Sequence, residues 1–128
     1  MAHDHVDLDL PLNARFAGTV RAVAASIAAS IGLTVDEIDD LRLGVNEAVS
    51  VLTDLDVDGV DRARLRLRFE VHPTEIVVVA WRHGADGAPV PELDVLARRI
   101  MDAVVDDHDI DESGEIRLRK RVSADAEA

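Results

Sequence analysis

Two histidines close to the N-terminus are the first residues of this sequence whose type and spacing could do chemistry. His3 and His5 enclose Asp4, and two imidazoles at this spacing could contribute to a Ni²⁺ or Zn²⁺ site. No third fixed ligand lies nearby in the sequence, so this segment does not supply the set of ligands that a stable site needs. We therefore expect a solvated terminus and predict no metal site.

An acidic run and one loop histidine are the remaining candidates of this kind. The run from Asp106 to Glu112 lacks the glycine at the sixth position and the glutamate at the twelfth that an EF-hand requires, which favours an acidic connector. His83 could contact a partner, although loop surface is the expected role. The sequence has no cysteine and no Gly-x-Ser-x-Gly motif, which excludes thiolate catalysis and leaves hydrolase chemistry without support.

The charge balance limits the class of partner. Of the 128 residues, 14 are Lys or Arg and 26 are Asp or Glu, which gives a formal net charge of −12 at pH 7. Such a chain repels phosphates, and an aromatic content of 2% offers no platform for stacking bases, so no nucleic-acid partner is expected. No apolar run approaches the roughly 18 residues that span a bilayer, and we expect a cytoplasmic protein without a membrane segment. The length predicts a single domain over residues 1–128, with a short polar tail at residues 123–128.

The first part of the chain predicts a short strand and two helices. Alternating apolar residues up to Pro11 indicate the strand, and Asn13 can cap a helix that Gly32 ends. Thr34 and Glu37 have the spacing of a capping box at the start of a second helix. The apolar residues at helical spacing are Phe16, Val20, Val23, Ile27 and Ile31 in the first helix, and Ile38, Leu41, Val45, Val49 and Leu52 in the second.

The rest of the chain predicts four strands and a third helix. After a loop over residues 54–61, alternation over residues 63–71 and a β-branched run over residues 76–81 indicate two strands, with Trp81 in the core. A loop over residues 82–91 and a hairpin over residues 107–122, turning at residues 112–115, flank the third helix. The residues expected to face inward from that helix are Leu93, Leu96, Ile100, Ala103 and Val104.

The order β-α-α-β-β-α-β-β predicts a two-layer α/β sandwich of the α+β type, in which helices cover one face of a mixed sheet. The other face then carries two rows of arginines, at positions 64, 66 and 68 and at positions 117, 119 and 121. Such rows could bind an anion, but we expect a solvated face of cross-strand ion pairs.

The segment LPLNARFAGTVRAVAASIAASIGLTVDEIDDLRLGVNEAV resembles the start of the anti-sigma factors of the GHKL (Bergerat-fold) ATPase superfamily. These are serine kinases that control stress and sporulation sigma factors. Within it, DEIDDLRLGVNEA is similar to the family's N-box helix, with Glu47 at the glutamate. The later order of elements fits as well, so the resemblance covers about 115 residues. It implies a Bergerat-like fold over the whole chain.

At three places the sequence departs from the pattern by which this family binds ATP and Mg²⁺. The metal-binding asparagine follows the glutamate by four residues, and here that position is Val51, which has no ligand atom. The aspartate that accepts from adenine corresponds to Arg82, which has no acceptor. Gly84 fits the same box, and a shifted match would use Asp86. The glycine-rich lid corresponds to APVPELDVL, which contains no glycine.

The resemblance gives Glu47 the position of the family's catalytic base, while the residue type also suits an open, polar helix edge. Asn46 lies about 140° around the helix from position 51 and cannot replace the metal ligand. We therefore expect a degenerate ATP site, no cofactor and no metal.

The function that the resemblance implies is that of an anti-sigma-type regulator. It would bind a sigma factor, a STAS-domain anti-anti-sigma protein or both, and it would form a homodimer. Two alternatives stay open. One is an active ATP- and Mg²⁺-dependent serine kinase that uses Glu47 as its base, and the other is a binding module unrelated to transcription.

Overall fold

The computed structural model describes residues 4–55 and 62–123. Most of the predicted loop at residues 54–61 and of the predicted tail therefore lies outside the described residues. No helix in the described segments is long and apolar enough to cross a bilayer. The strands and helices found there are β1 (Asp4–Pro11), α1 (Ala17–Ser30, preceded by a 3-10 turn at Ala14–Phe16), α2 (Val35–Thr53), β2 (Arg64–Val71), β3 (Glu75–His83), α3 (Val95–Val104), β4 (Asp107–Ile110) and β5 (Ile116–Arg121).

The predicted capping residues stand at the starts of the first two helical segments. The Asn13 side chain accepts a hydrogen bond from the Arg15 N–H at 3.0 Å. At α2 the Thr34 hydroxyl accepts from the Glu37 N–H at 3.1 Å, and the Glu37 carboxylate accepts from the Thr34 N–H at 2.8 Å. This is the complete capping box. Gly32, with φ +91°, makes the turn between the helices in the left-handed region. Local signals thus set where α2 begins and which of its residues share a face.

The five strands form one antiparallel sheet in the order β1-β2-β3-β5-β4. The two-layer α+β architecture is confirmed and is consistent with a GHKL-like sandwich, but the expected mixed sheet is wrong. β4 follows α3 and runs in the same direction as β3, so a β4 adjacent to β3 would have made a parallel pair. The hairpin instead inserts β5 between them, and each neighbouring pair is antiparallel.

Buried side chains from the three helices and from one face of the sheet form a single hydrophobic cluster. In β2, β3 and β5 every second residue points into it, as the period of a strand requires. The helices therefore cover one face of the sheet, as predicted. The cluster includes Val20, Ala24 and Ala28 of α1, Leu41, Val45, Val49 and Leu52 of α2, Ala97, Met101 and Val104 of α3, and Leu65, Leu67, Phe69, Ile76, Val78, Ala80, Ile116 and Leu118 of the sheet.

The opposite face of the sheet, called the outer face from here on, carries the two arginine rows. Arg68 donates to its cross-strand neighbour Asp7 at 2.8 Å, and Arg64 donates to Asp9 at the same distance. Val79 of β3 lies between the rows and is only 4% exposed, because arginine side chains cover apolar surface with their methylene stems. The predicted face of cross-strand ion pairs is confirmed.

The inward face of α3 differs from the prediction at two of five residues, whereas Leu93 and Val104 are buried and Ile100 packs against the core as expected. Leu96 and Ala103 are exposed, and Leu96 has 66% of its surface accessible. The helix begins after Asp94, whose side chain accepts from the Ala97 N–H at 2.8 Å. From there the buried stripe has the spacing i, i+4 and i+7 and consists of Ala97, Met101 and Val104. Leu96 lies about 100° around the helix from Ala97 and therefore points away from the core.

Trp81 also lies outside the core. It is half-buried on the outer face, directly opposite Arg66 in the β2–β3 pairing. Strand alternation explains this, because Ala80 already takes the inward position. The β-branched run that predicted β3 does not distinguish its two faces, since both are apolar.

The C-terminal hairpin turns where the sequence predicts. The Asp111 N–H donates to the Glu115 carbonyl at 3.0 Å. Four residues of the acidic run form strand β4 and pair with β5, which confirms the hairpin prediction and not the connector that the run by itself suggested. Ser123, the first residue of the predicted tail, is held to α2, since its N–H donates to Glu37 at 2.9 Å. The remaining tail residues, 124–128, lie outside the described residues.

Candidate functional site

A cavity of about 430 Å³ opens between the C-terminal half of α2 and the segment that joins β3 to α3. Three residues singled out in the sequence line it together: Glu47 and Val51 on α2, and Arg82 near the end of β3. The sequence resemblance gives these three positions to the family's base, metal ligand and adenine contact. The other lining residues are Ser50, Asp54, Leu55, Pro89, Val90, Pro91, Glu92, Asp94, Leu96 and Ala97.

One wall of the cavity is a stripe of α2. Glu47, Val51 and Asp54 are spaced i, i+4 and i+7, so they share a face of the helix. Val51 is partly buried and packs against the core as well as lining the cavity, and its side chain offers no ligand atom. Asn46 does not help, because its side-chain oxygen accepts from the Arg21 guanidinium at 2.6 Å, on the α1 side of α2.

The floor of the cavity is the guanidinium of Arg82. Its Nε donates to the Leu52 carbonyl at 2.8 Å and its Nη2 to the Val51 carbonyl at 3.4 Å. Its Nη1 donates to the Pro89 carbonyl at 2.8 Å. Carbonyls in the last turn of a helix lack intrahelical partners, so a cation there satisfies them and suits the negative end of the helix dipole. Arg82 therefore caps α2 and ties the β3–α3 segment to it.

The Arg82 guanidinium keeps its positive charge in this environment. Partial burial lowers the pKa of the guanidinium by desolvation, and the nearby Asp54 carboxylate acts in the opposite direction. An arginine stays protonated under such conditions, so the floor of the cavity is a fixed positive charge, and three of its five N–H donors point to main-chain carbonyls.

The segment between β3 and α3 is held at a second point by the C-terminal hairpin. Gly114, with φ +89°, packs so closely against Pro91 that an added Cβ would lie 2.4 Å from the proline Cδ. Together with the Arg82 bond to Pro89, this contact fixes the two prolines of the segment. The segment between β3 and α3, called the strap from here on, is thus fixed at two points.

Gly84 and Asp86 lie on the other side of this strap. They line a second, smaller cavity of about 190 Å³ together with Arg82 and Ser113. The structure therefore does not bring them together with Glu47, because Arg82 and Pro89 stand between the two spaces. His83, at the adjacent end of β3, is exposed.

The charges around the main cavity do not complement the negative phosphates of a nucleoside triphosphate. Four carboxylates line it against one guanidinium, and that guanidinium donates to main-chain carbonyls. Asp94 caps the N-terminus of α3 by accepting from the Ala97 N–H, so a negative charge already lies at the helix end that could have met phosphate oxygens. With Val51 at the metal position as well, the residues present do not fit ATP and Mg²⁺ bound in the family's manner.

Several lining residues were missed in the sequence. Asp54 lies seven residues after Glu47, and this spacing would have placed it on the same stripe of α2. Glu92 and Leu96 reach the cavity only because the strap folds back over α2, which no local signal announces.

The candidate metal ligands give no cluster in the part of the chain that the structure describes. His5 lies 3.7 Å from Asp7, on the outer face, and His3 is outside the described residues. No group of three or more His, Asp or Glu side chains over residues 4–55 and 62–123 could hold an ion.

Comparison with known proteins finds serine-protein kinases, which is the class of protein that the sequence resembles. No family model matches the chain. Two curated relatives are each 25% identical to it over 81 residues: the serine-protein kinases RsbW of Bacillus velezensis and of Bacillus subtilis. The match covers 63% of this chain and 51% of each relative, so the chain spans about half the length of the curated relatives it matches. The chain is thus similar to serine-protein kinases of this type over the larger part of its length.

Proposed function

We propose that this chain is an anti-sigma-type regulator that acts by binding protein partners and not by transferring phosphate. The similarity to the RsbW kinases supports the regulatory class. The partners we propose are a sigma factor, a STAS-domain anti-anti-sigma protein or both, and the chain would act as a homodimer. These partners come from the sequence resemblance.

The observation that carries the proposal is the set of hydrogen bonds made by Arg82. By the sequence resemblance Arg82 corresponds to the family's adenine-binding aspartate, and its guanidinium donates to carbonyls on both sides of the cavity. A side chain with this role is part of the framework. It supplies no acceptor for adenine, and it cannot move aside without leaving main-chain carbonyls unpaired.

The missing contacts have a large combined cost for nucleotide affinity. Replacing an acceptor by a donor loses one hydrogen bond and leaves a polar group unmet, about 2–4 kcal/mol together. The absent metal ligand at Val51 adds to this. Since each 1.4 kcal/mol is about tenfold in affinity, a micromolar site becomes a millimolar one.

Calorimetric titration with ATP and Mg²⁺ tests the proposal directly. We expect no binding tighter than about 50 μM. A parallel thermal melt at several millimolar ATP, with Mg²⁺ and with EDTA, should show the same midpoint in both, because a ligand that does not bind the folded state does not stabilise it. A Mg²⁺-dependent rise of several degrees would contradict the proposal.

An active kinase is the second candidate, and one observation favours it. Glu47, the family's base position, lines the cavity and is partly buried there. Incubation with labelled ATP, Mg²⁺ and a STAS-domain protein distinguishes the two candidates. Transfer of label by the wild type and not by Glu47→Gln would establish the kinase, and we expect no transfer from either.

Partner binding is tested separately, by mixing the chain with the sigma factors and STAS-domain proteins of its host and measuring masses by light scattering. A complex with either class supports the anti-sigma function. Binding to neither favours a module unrelated to transcription. The same measurement reports whether the free chain has the mass of a 13.9 kDa monomer or twice that.

A further inference from the structure

The main cavity has a charge and a shape that suit a cationic group. Glu47, Asp54, Glu92 and Asp94 line it, while Arg82 is the single basic residue among the lining residues that the structure describes. Three hydrogen bonds direct three of the five Arg82 N–H donors to carbonyls, so the guanidinium is held in the framework, and the carboxylates that line the cavity outnumber it four to one. We infer that the cavity binds an arginine or lysine side chain of a protein partner, presented by a segment in which apolar residues flank the basic one.

Two of the four carboxylates that line the cavity differ from those of the outer face in having no partner in the described part of the chain, whereas Asp94 accepts from the Ala97 N–H and Asp54 acts on Arg82. Over residues 4–55 and 62–123, neither Glu47 nor Glu92 has a side-chain hydrogen bond or an ion pair. By contrast, Asp7 and Asp9 on the outer face are each held by arginines. A basic side chain entering the cavity would therefore meet carboxylates that have not yet been paired.

Apolar side chains at the rim indicate a polypeptide and not a free ion. Val90 and Leu96 both line the cavity, and they are 54% and 66% exposed. Val95, beside Leu96, is 69% exposed. Exposed apolar side chains next to a polar recess are typical of a site that takes an anchoring side chain with its apolar neighbours.

One wall of the cavity, the strap between β3 and α3, is held in place before a partner binds. The strap is tied at Pro89 by Arg82 and at Pro91 by the hairpin turn, so the cavity does not depend on a closing lid. Binding to a preformed site costs less conformational entropy than binding to a segment that must first become ordered.

This inference rests on the proposed function, because ATP bound in the same cavity would exclude a basic side chain. The probe is a fluorescein-labelled peptide in which two arginines alternate with three leucines. Its control has citrulline at both arginine positions, which keeps the shape and removes the charge. Fluorescence anisotropy gives the affinity, and ¹H–¹⁵N spectra of the chain locate the peptide.

The matched variants each remove one negative charge. Glu47→Gln and Asp54→Asn change the cavity, whereas Asp109→Asn changes an exposed carboxylate of β4 that does not line it. We expect each cavity variant to weaken peptide binding by roughly fivefold, and the Asp109 variant by less than about twofold. Amide shifts should concentrate on the lining residues, and the citrulline peptide should not bind. Equal melting temperatures show that all three variants are folded.

Several results would overturn the inference. Equal weakening by all three variants would show that only the overall charge of −12 attracts the peptide. If the peptide does not bind, or if spermidine alone binds as tightly as the peptide, the cavity does not select a protein segment and the inference is wrong. If the peptide fails and Mg²⁺-ATP also fails to bind, the inference is wrong and the proposed function stands. If Mg²⁺-ATP binds, both are wrong.

Discussion

The cavity and the outer face both consist of arginines and carboxylates, yet they use them in opposite ways. On the outer face the arginines reach exposed aspartates across neighbouring strands, and the charges largely cancel. In the cavity the one arginine bonds to main-chain carbonyls, and the Glu47 and Glu92 carboxylates have no partner among the described residues. An arginine bound to backbone holds the fold together, whereas an arginine bound to an exposed carboxylate mostly keeps the surface soluble.

The largest effect is expected from Arg82→Ala. This change removes the hydrogen bonds to Leu52 and Pro89 and leaves both carbonyls to find other partners, so we expect a loss of about 3 kcal/mol in the free energy of unfolding. Urea denaturation followed by circular dichroism measures it. Arg82→Lys should fall between the two, because an ammonium keeps the charge and loses the planar arrangement of donors. A loss below about 0.5 kcal/mol would mean that the guanidinium does not hold the strap.

Gly114→Ala comes next, and it tests the second point at which the strap is fixed. The new Cβ would lie 2.4 Å from Pro91 and would also strain a backbone with φ +89°. Gly87→Ala is the matched control, since its φ is +85° but no atom lies within 4 Å of an added Cβ. We expect a loss of about 1 kcal/mol at Gly87 from strain alone and about 2–3 kcal/mol at Gly114. Equal losses at the two glycines would show that the Pro91 contact is not tight.

Local signals in the sequence suffice for the parts of the fold that depend on neighbouring residues. The pair Thr34 and Glu37 sets the start of α2, and the helical period then places Glu47 and Val51 on one face. The alternation of β2 likewise predicts which arginines point outward, and the ion pairs with Asp7 and Asp9 follow from strand pairing.

The remainder depends on where distant segments meet. No local pattern shows whether β4 or β5 is the strand that pairs with β3. The sequence therefore favoured a mixed sheet, whereas the observed order makes each pair antiparallel. The bond from Arg82 to Pro89 requires the loop to fold back on α2, and the exposure of Leu96 follows from the same path. For this reason the departure from the resembled pattern at positions 51 and 82 is visible in the sequence, but the hydrogen bonds of Arg82 are not.

A third prediction concerns the outer face, where a charge removal should matter little. Arg66 lies beside Asp9 at 3.5 Å, and Asp9 also accepts from Arg64. Arg66→Ala should therefore change the free energy of unfolding by less than about 1 kcal/mol, well below the effect at Arg82. The same urea titration compares the two directly. A loss of several kcal/mol at Arg66 would remove the distinction between the two regions.

The smallest effect is expected in the pH dependence of the outer face. A hydrogen bond from Arg68 lowers the pKa of Asp7 below its ordinary value of 3.8, and one from Arg64 does the same to the pKa of Asp9. A carboxyl with a lowered pKa in the folded chain contributes stability above its ordinary pKa. That contribution is lost as the pH falls through the folded-state value. The stability difference between the wild type and Arg68→Ala should accordingly be present at pH 7 and disappear in strong acid.

Carboxyl NMR titration isolates this effect from the rest of the molecule. In Arg68→Ala the pKa of Asp7 should return toward 3.8, while the pKa of Asp9 should stay low because Arg64 and Arg66 remain. Added salt should shrink the Asp7 shift in the wild type, since exposed charges are screened. An Asp7 pKa that is the same in the wild type and in Arg68→Ala would show that this pair is not formed in solution. The outer face would then resemble the cavity in having unpaired carboxylates.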